Sequence, residues 1–86
     1  MRVLLPQSLT RLFPSSPPSL DIEAGSVAGL IDALDTRWPG MRHCLCDSTP
    51  CIRRHINIFV AGERATLATH LPQNTEVAIM TAISGG

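Results

Sequence analysis

The stretch "TEVAIMTAISGG" (75–86) decides the reading of this chain. From Thr75 to Ile83 it alternates. Val77, Ile79, Thr81 and Ile83 fall on one face, and Glu76, Ala78, Met80 and Ala82 on the other. Such period-two alternation predicts a strand with one buried face. The run then passes through Ser84 into Gly85-Gly86. Glycine has no Cβ, so a tail of this kind can lie extended in a narrow channel and adopt backbone angles other residues avoid. No titratable side chain occurs in the last nine residues, so nothing there competes with a terminal group.

Working back from that strand, "LPQN" (71–74) reads as a turn, with Asn74 suited to a left-handed conformation. "GERATL" (62–67) turns and begins a short strand. "HINIFVAG" (55–62) alternates again: Ile56, Ile58 and Val60 face one way, His55, Asn57, Phe59 and Ala61 the other. With Ile58 and Ile79 facing inward, Phe59, Ala78 and Met80, joined by Leu4, form an apolar patch on the outer face. Patches of this kind mark protein contacts. Phe59 and Met80 are the expected docking residues. The competing reading folds part of 40–54 over the same patch.

"AGSVAGLIDALDTRWPG" (24–40) carries Val27, Leu30, Ile31, Leu34 and Trp38 at helical spacing. Ser26 is a good N-cap, and Pro39 ends the helix because the residue before a proline is pushed out of the helical region. Gly29 costs about 1 kcal/mol against alanine inside a helix, and a close approach to a sheet is one reason to keep it. Asp32 and Asp35 are expected on the water side. Upstream, "VLLP" (3–6) reads as a strand, "FPSSPPSL" (13–20) as a loop and "SLDIE" (19–23) as a second strand, which together predict a hairpin. Residues 40–54 lack a strong period and read as a loop with about one helical turn.

The chain is a single domain, 1–86, of α+β class. One amphipathic helix covers only one face of a sheet. A sheet whose first and last strands are central, parallel neighbours satisfies the order of elements. Formal charge is zero, which disfavours nucleic acid as a partner. All seven basic residues other than histidine are arginine, so no lysine amine is present for a Schiff base or an amide bond. "MRVLLPQSL" is too short in apolar residues for a secretory leader, and no run reaches the length of a membrane span. The expected address is the cytoplasm.

"RHCLCDSTPCIRRH" (42–55) gathers His43, Cys44, Cys46, Cys51 and His55. These types suit zinc, but a Cys-x-Cys pair plus scattered single residues is not the spacing of a structural site. No metal is expected. One of Cys44 and Cys46 reads as a small buried apolar residue, and a Cys46–Cys51 disulfide under oxidation stays open. His70 and the pair Arg53-Arg54 read as solvated.

Taken together, "VLLP", "GSVAGLIDALDTRWPGM", "RHINIFVAGE" and "TEVAIMTAISGG" resemble the ubiquitin-like sulfur carriers, the MoaD/ThiS-like family of the molybdopterin synthase small subunit and the thiamine sulfur carrier. The resemblance spans nearly the whole chain. It implies a ubiquitin-like β-grasp: a mixed sheet of about four to five strands with one main helix on one face. It also implies a role for the tail. A partner of the ubiquitin-activating type uses ATP to adenylate the Gly86 carboxylate, sulfur displaces AMP, and the thiocarboxylate donates sulfur elsewhere. Gly86 is then the reacting residue and Gly85 supplies flexibility, with Ile83 and Ser84 contacting the partner beside Phe59 and Met80. The chain itself binds no cofactor and is a protein co-substrate, an enzyme subunit only in the molybdopterin synthase case. Sulfur acceptors of the family are the molybdopterin synthase large subunit, thiazole synthase and cysteine synthase. The long 39–54 segment resembles the molybdopterin and cysteine-synthase groups more than the thiamine group. The family's Gly-Asp-rich turn before the last strand is here Gln73-Asn74-Thr75-Glu76, and the three cysteines lie outside its pattern. Two other classes remain open: a protein modifier conjugated through Gly86, and a metal or redox module.

Overall fold

The sequence's alternating and helical stretches become eight elements in the computed structural model, which describes residues 1–49 and 51–81. They are β1 (Arg2–Leu4), α1 (Gln7–Leu12), β2 (Ser19–Asp21), α2 (Val27–Arg37), α3 (Met41–Leu45), β3 (Ile56–Val60), β4 (Glu63–Arg64) and β5 (Glu76–Thr81). The sheet runs β2-β1-β5-β3-β4. β1 and β5 are parallel, and every other pairing is antiparallel. The first and last strands are therefore central neighbours, as the element order required.

The inner face is apolar because the alternation demands it. Val3, Ile56, Ile58, Val60, Val77 and Ile79 are buried against Val27, Leu30, Ile31 and Leu34 of α2. The Ser26 hydroxyl accepts from Gly29 N at 3.1 Å and caps α2. The next two amides of that helix end find carbonyls in the 66–71 segment: Val27 N donates to Thr69 O and Ala28 N to Leu67 O, both at 3.0 Å. That segment thus satisfies donors a helix start would otherwise leave unpaired.

Several expectations need correction. The hairpin between β1 and β2 is interrupted by α1, in a stretch to which the sequence reading assigned no element, whereas residues 13–18 are loop as expected. Leu5, Leu9 and Leu12 have the helical spacing, but six residues are too few for a period to declare itself. Leu9 is buried, whereas Leu12 is 66% exposed. β1 and β2 are shorter than expected, although Leu5 N to Pro18 O and Ile22 N to Met1 O extend their pairing. Gly29 does not sit against the sheet. A Cβ there would meet Ser26 Oγ at 3.4 Å and Ala24 Cβ at 3.9 Å, both at the helix's own N-terminus.

Asp35 is not simply solvated either. Its Oδ1 accepts from Gly40 N at 3.1 Å and Arg42 N at 3.0 Å, which joins α2 to α3. Between them, Met41 N donates to Trp38 O, with Pro39 second and Gly40 third at φ 101° and ψ −13°. That is the geometry of a type II turn, whose third position favours glycine. Asp32 is exposed and pairs with Arg42 across the same corner.

Ala61 was expected on the strand's outer face, but β3 ends at Val60. Val60 pairs with Glu63 across Ala61 (φ 52°) and Gly62 (φ 84°), a two-residue turn with both central φ positive. This turn matches the twist of the flanking strands and prefers Asn-Gly. An alanine in the left-handed region is strained by about 1 kcal/mol. Ala61→Asn is expected to raise stability by about 0.5–1 kcal/mol, read as a rise of roughly 3–6 °C in the thermal midpoint. An unchanged or lower midpoint would contradict this account of the turn. Asn74 is also left-handed (φ 61°), as expected of the turn before β5.

Candidate functional site: the outer sheet face and the end of β5

Register places the outer face in rows. Ser19, Leu4, Ala78, Phe59 and Arg64 lie side by side across all five strands. In the middle of that row, Leu4, Ala78 and Phe59 are half-buried. Met80 lies one step along β5, opposite Asn57, and is 52% exposed. Phe59 and Met80 therefore share one face, on strands in direct contact. The row nearer the start of β5 is Asp21, Arg2 and Glu76, alternating in sign across three strands. Opposite charges facing each other favour this pairing. Arg64 hydrogen-bonds to the Asn57 side chain and closes the far border of the apolar row.

The segment 40–54 was the other candidate for covering this face. Its buried residues go to the other side. Met41, Leu45 and Cys46 are buried in the core cluster and Ile52 packs against it. α3 packs against α2.

β5 leads toward the end of the sheet where α1 sits. Thr81, opposite Ile56, shares a cleft with Ser8, Leu9, Leu12, Cys44, Arg53 and His55. Ile83, Ser84, Gly85 and Gly86 fall outside the described residues.

The cysteines divide by environment. Cys46 is buried, Cys44 is half-buried and Cys51 is exposed, and all three are free thiols. Burial pushes the Cys46 thiol up, against the pull of Arg42 and Arg53. It is therefore a protonated, apolar-like side chain at neutral pH, in keeping with the reading of one cysteine as core. Among the described residues, no group of three or more His, Cys, Asp or Glu is placed to hold a metal ion. Cys46 pairs with Ile52 in an isolated bridge, and Asp47 organises the loop between them. Its Oδ1 accepts from Thr49 N and Cys51 N, each at 2.9 Å. The Thr49 hydroxyl and these amides hold the Asp47 carboxyl below the usual range. The signal for this loop was the Asp-Ser-Thr-Pro string, since Asp readily bonds its own backbone two residues on.

His70 is exposed, as expected, in a bridge with Ser26. Arg53 differs from expectation. Its Nε donates to His43 O at 2.7 Å and its N to Leu45 O at 2.9 Å, so it braces the C-terminal end of α3. A cationic side chain suits that end of a helix. Arg54 is exposed. Among the described residues, no helix is long and apolar enough to cross a membrane.

No family model matches the sequence, and comparison with curated proteins gives no match. Solved structures do match. A chain of the Amycolatopsis orientalis BexX/CysO complex aligns over 99% of this chain and 98% of its own, with 22% identity and a TM-score of 0.86. Mycobacterium tuberculosis CysO, an antigen, aligns over 95% of this chain and 98% of its own, with 23% identity and a TM-score of 0.83. SAMP1 from Haloferax volcanii aligns over 100% and 98%, with 25% identity and a TM-score of 0.77. At such identities the likeness speaks for architecture, and with the strand order and register above it shows that this chain has the ubiquitin-like β-grasp fold.

Proposed function

We propose that this protein is a sulfur carrier whose reactive group is the Gly86 carboxylate. The observation that carries the reading is positional. Gly85-Gly86 follows within five residues of the end of β5, a central strand of a ubiquitin-like body. A carboxylate is a poor electrophile. In this reading a partner enzyme joins it to AMP from ATP with loss of pyrophosphate, and a sulfur nucleophile then displaces AMP. The chain supplies a rigid handle and a terminal acyl group. The partners supply ATP binding, proton transfer and sulfur. Nothing in this scheme requires a cofactor on the chain itself.

Phe59 and Met80, flanked by Leu4 and Ala78, are the residues proposed to dock the adenylating enzyme, with Ile83 and Ser84 contacting the entrance to its active site. CysO occurs in a complex with BexX, and this chain is proposed to assemble in turn with its own partner, a sulfur-accepting enzyme. The "INIFVAGE" and "ISGG" strings resemble the carriers that serve a cysteine synthase, so a cysteine synthase is the acceptor proposed ahead of thiazole synthase and the molybdopterin synthase large subunit.

The test is mass spectrometry of the intact protein after incubation with an adenylating enzyme, ATP and a sulfur donor. The expected product carries one oxygen exchanged for sulfur at Gly86. No mass change with any cognate activating enzyme would count against the proposal. A second reading, a protein modifier, is favoured by the likeness to SAMP1, a small archaeal modifier protein. It predicts Gly86-dependent conjugates on immunoblots of cell extract, joined through lysines of the targets because this chain has none.

A further inference from the structure

The outer edge of β3 is only partly paired. Ala61 N donates to Glu76 O at 3.0 Å, so Asn57, Phe59 and Ala61 turn their backbone groups toward β5. Backbone groups alternate in direction along a strand. Ile56, Ile58 and Val60 therefore turn theirs to the opposite edge. There Ala65 N donates to Ile58 O at 2.8 Å and Ile56 N donates to Arg53 O at 2.9 Å. β4 stops at Arg64, and the chain beyond it turns its Leu67 and Thr69 carbonyls to the start of α2. Ile56 O and Ile58 N are left with no hydrogen-bond partner among the described residues.

Those two groups flank Asn57. An acceptor and a donor on either side of one residue is how a parallel strand is held: a single incoming residue donates its N–H to Ile56 O and accepts from Ile58 N. Ile56, Asn57 and Ile58 all line a cleft of about 520 Å³. Half-buried Ile52 and Leu67, packed against the core, line its inner side. Arg53, Arg54 and Arg64 also line it, and no aspartate or glutamate does.

We propose that this cleft binds an extended acidic segment of a partner protein by adding one parallel backbone bridge across Asn57. Register then sets the side chains. The residue beside Asn57 points to the outer face, where Arg64 lies, and its two neighbours point inward to Ile52 and Leu67. The preferred segment alternates carboxylate and aliphatic residues. A nucleotide or free phosphate answers the arginines but brings no backbone donor and acceptor at this spacing. A peptide brings both. The cleft uses neither the Leu4–Ala78–Phe59 row nor Gly86, so this proposal and the sulfur-carrier reading stand or fall separately.

The probe is an amide-capped peptide of alternating glutamate and valine, titrated into the nitrogen-labelled protein and followed by NMR. The Ile58 amide is expected to shift and to gain protection from hydrogen exchange. Lysine in place of glutamate, or N-methylation of the central glutamate, is expected to weaken binding about tenfold or more, as is Arg54→Gln or Arg64→Gln. Thiocarboxylate formation at Gly86 stays unchanged in Arg54→Gln. Failure of the Ile58 amide to respond up to the peptide's solubility limit would overturn the proposal. So would equal binding of the lysine peptide. A shift of that amide with protein concentration alone would assign the edge to a second copy of the chain and overturn it as well.

Discussion

Deletion of Gly86 is expected to abolish thiocarboxylate formation while leaving the unfolding midpoint unchanged. The proposed chemistry occurs at one carbonyl, and an extended residue spans about 3.3–3.6 Å. Removing one residue withdraws the new terminus from the activating centre by that distance. Misplacement of only about 1 Å costs on the order of a hundredfold in rate, so a loss well beyond that is expected. The body has no part in this loss, because Val77 and Ile79 and their partners are untouched. Met80→Asp provides the contrast. It places a charge on the proposed docking face and should raise KM for the activating enzyme, with product still forming at saturation. A Gly86-deleted protein that is activated at the normal rate would end the sulfur-carrier reading.

Leu34→Ala is expected to unfold a large part of the population under conditions where the parent is fully folded. Leu34 is fully buried on α2, inside the only core cluster among the described residues. Truncating such a side chain removes its transfer free energy and leaves a cavity, at a cost of about 3 kcal/mol. A domain of this length is stabilised by roughly 4–13 kcal/mol in total. For domains of this size, a loss of about 3 kcal/mol lowers the thermal midpoint by roughly 12–24 °C. The matched control is Leu12→Ala on α1. Leu12 is 66% exposed, and a change of less than about 0.5 kcal/mol is expected there. Circular dichroism melts of both variants decide the matter. Equal effects would mean that α1 and α2 do not differ in burial as described.

The strands that carry the proposed docking face were legible because half-burial imposes a period of two. Ile56, Ile58, Val60, Val77 and Ile79 declared the inner face, and Phe59 and Met80 were left for the outer one. Helix α2 was legible for the same kind of reason, with Ser26 and Pro39 as its stops. α1 was not, because a helix of six residues shows too little of its period and sits among prolines that read as loop. The roles of Asp35 and Arg53 were also hidden. Each bonds backbone atoms that approach it only when the chain has folded back, and a charged residue in isolation reads as solvated.

Alternation, capping residues and element order by themselves determined the fold class, the central β1–β5 pair and the inner faces of β3, β5 and α2. They could do so because burial acts on each residue in proportion to its own surface, so its pattern is written locally. Only the tertiary structure decided which carbonyls cap α2, which way 40–54 packs, and that Ile56 O and Ile58 N have no partner among the described residues. Those outcomes depend on hydrogen bonds between residues far apart in the chain, whose partners are selected by where the backbone turns rather than by the chemistry of either residue.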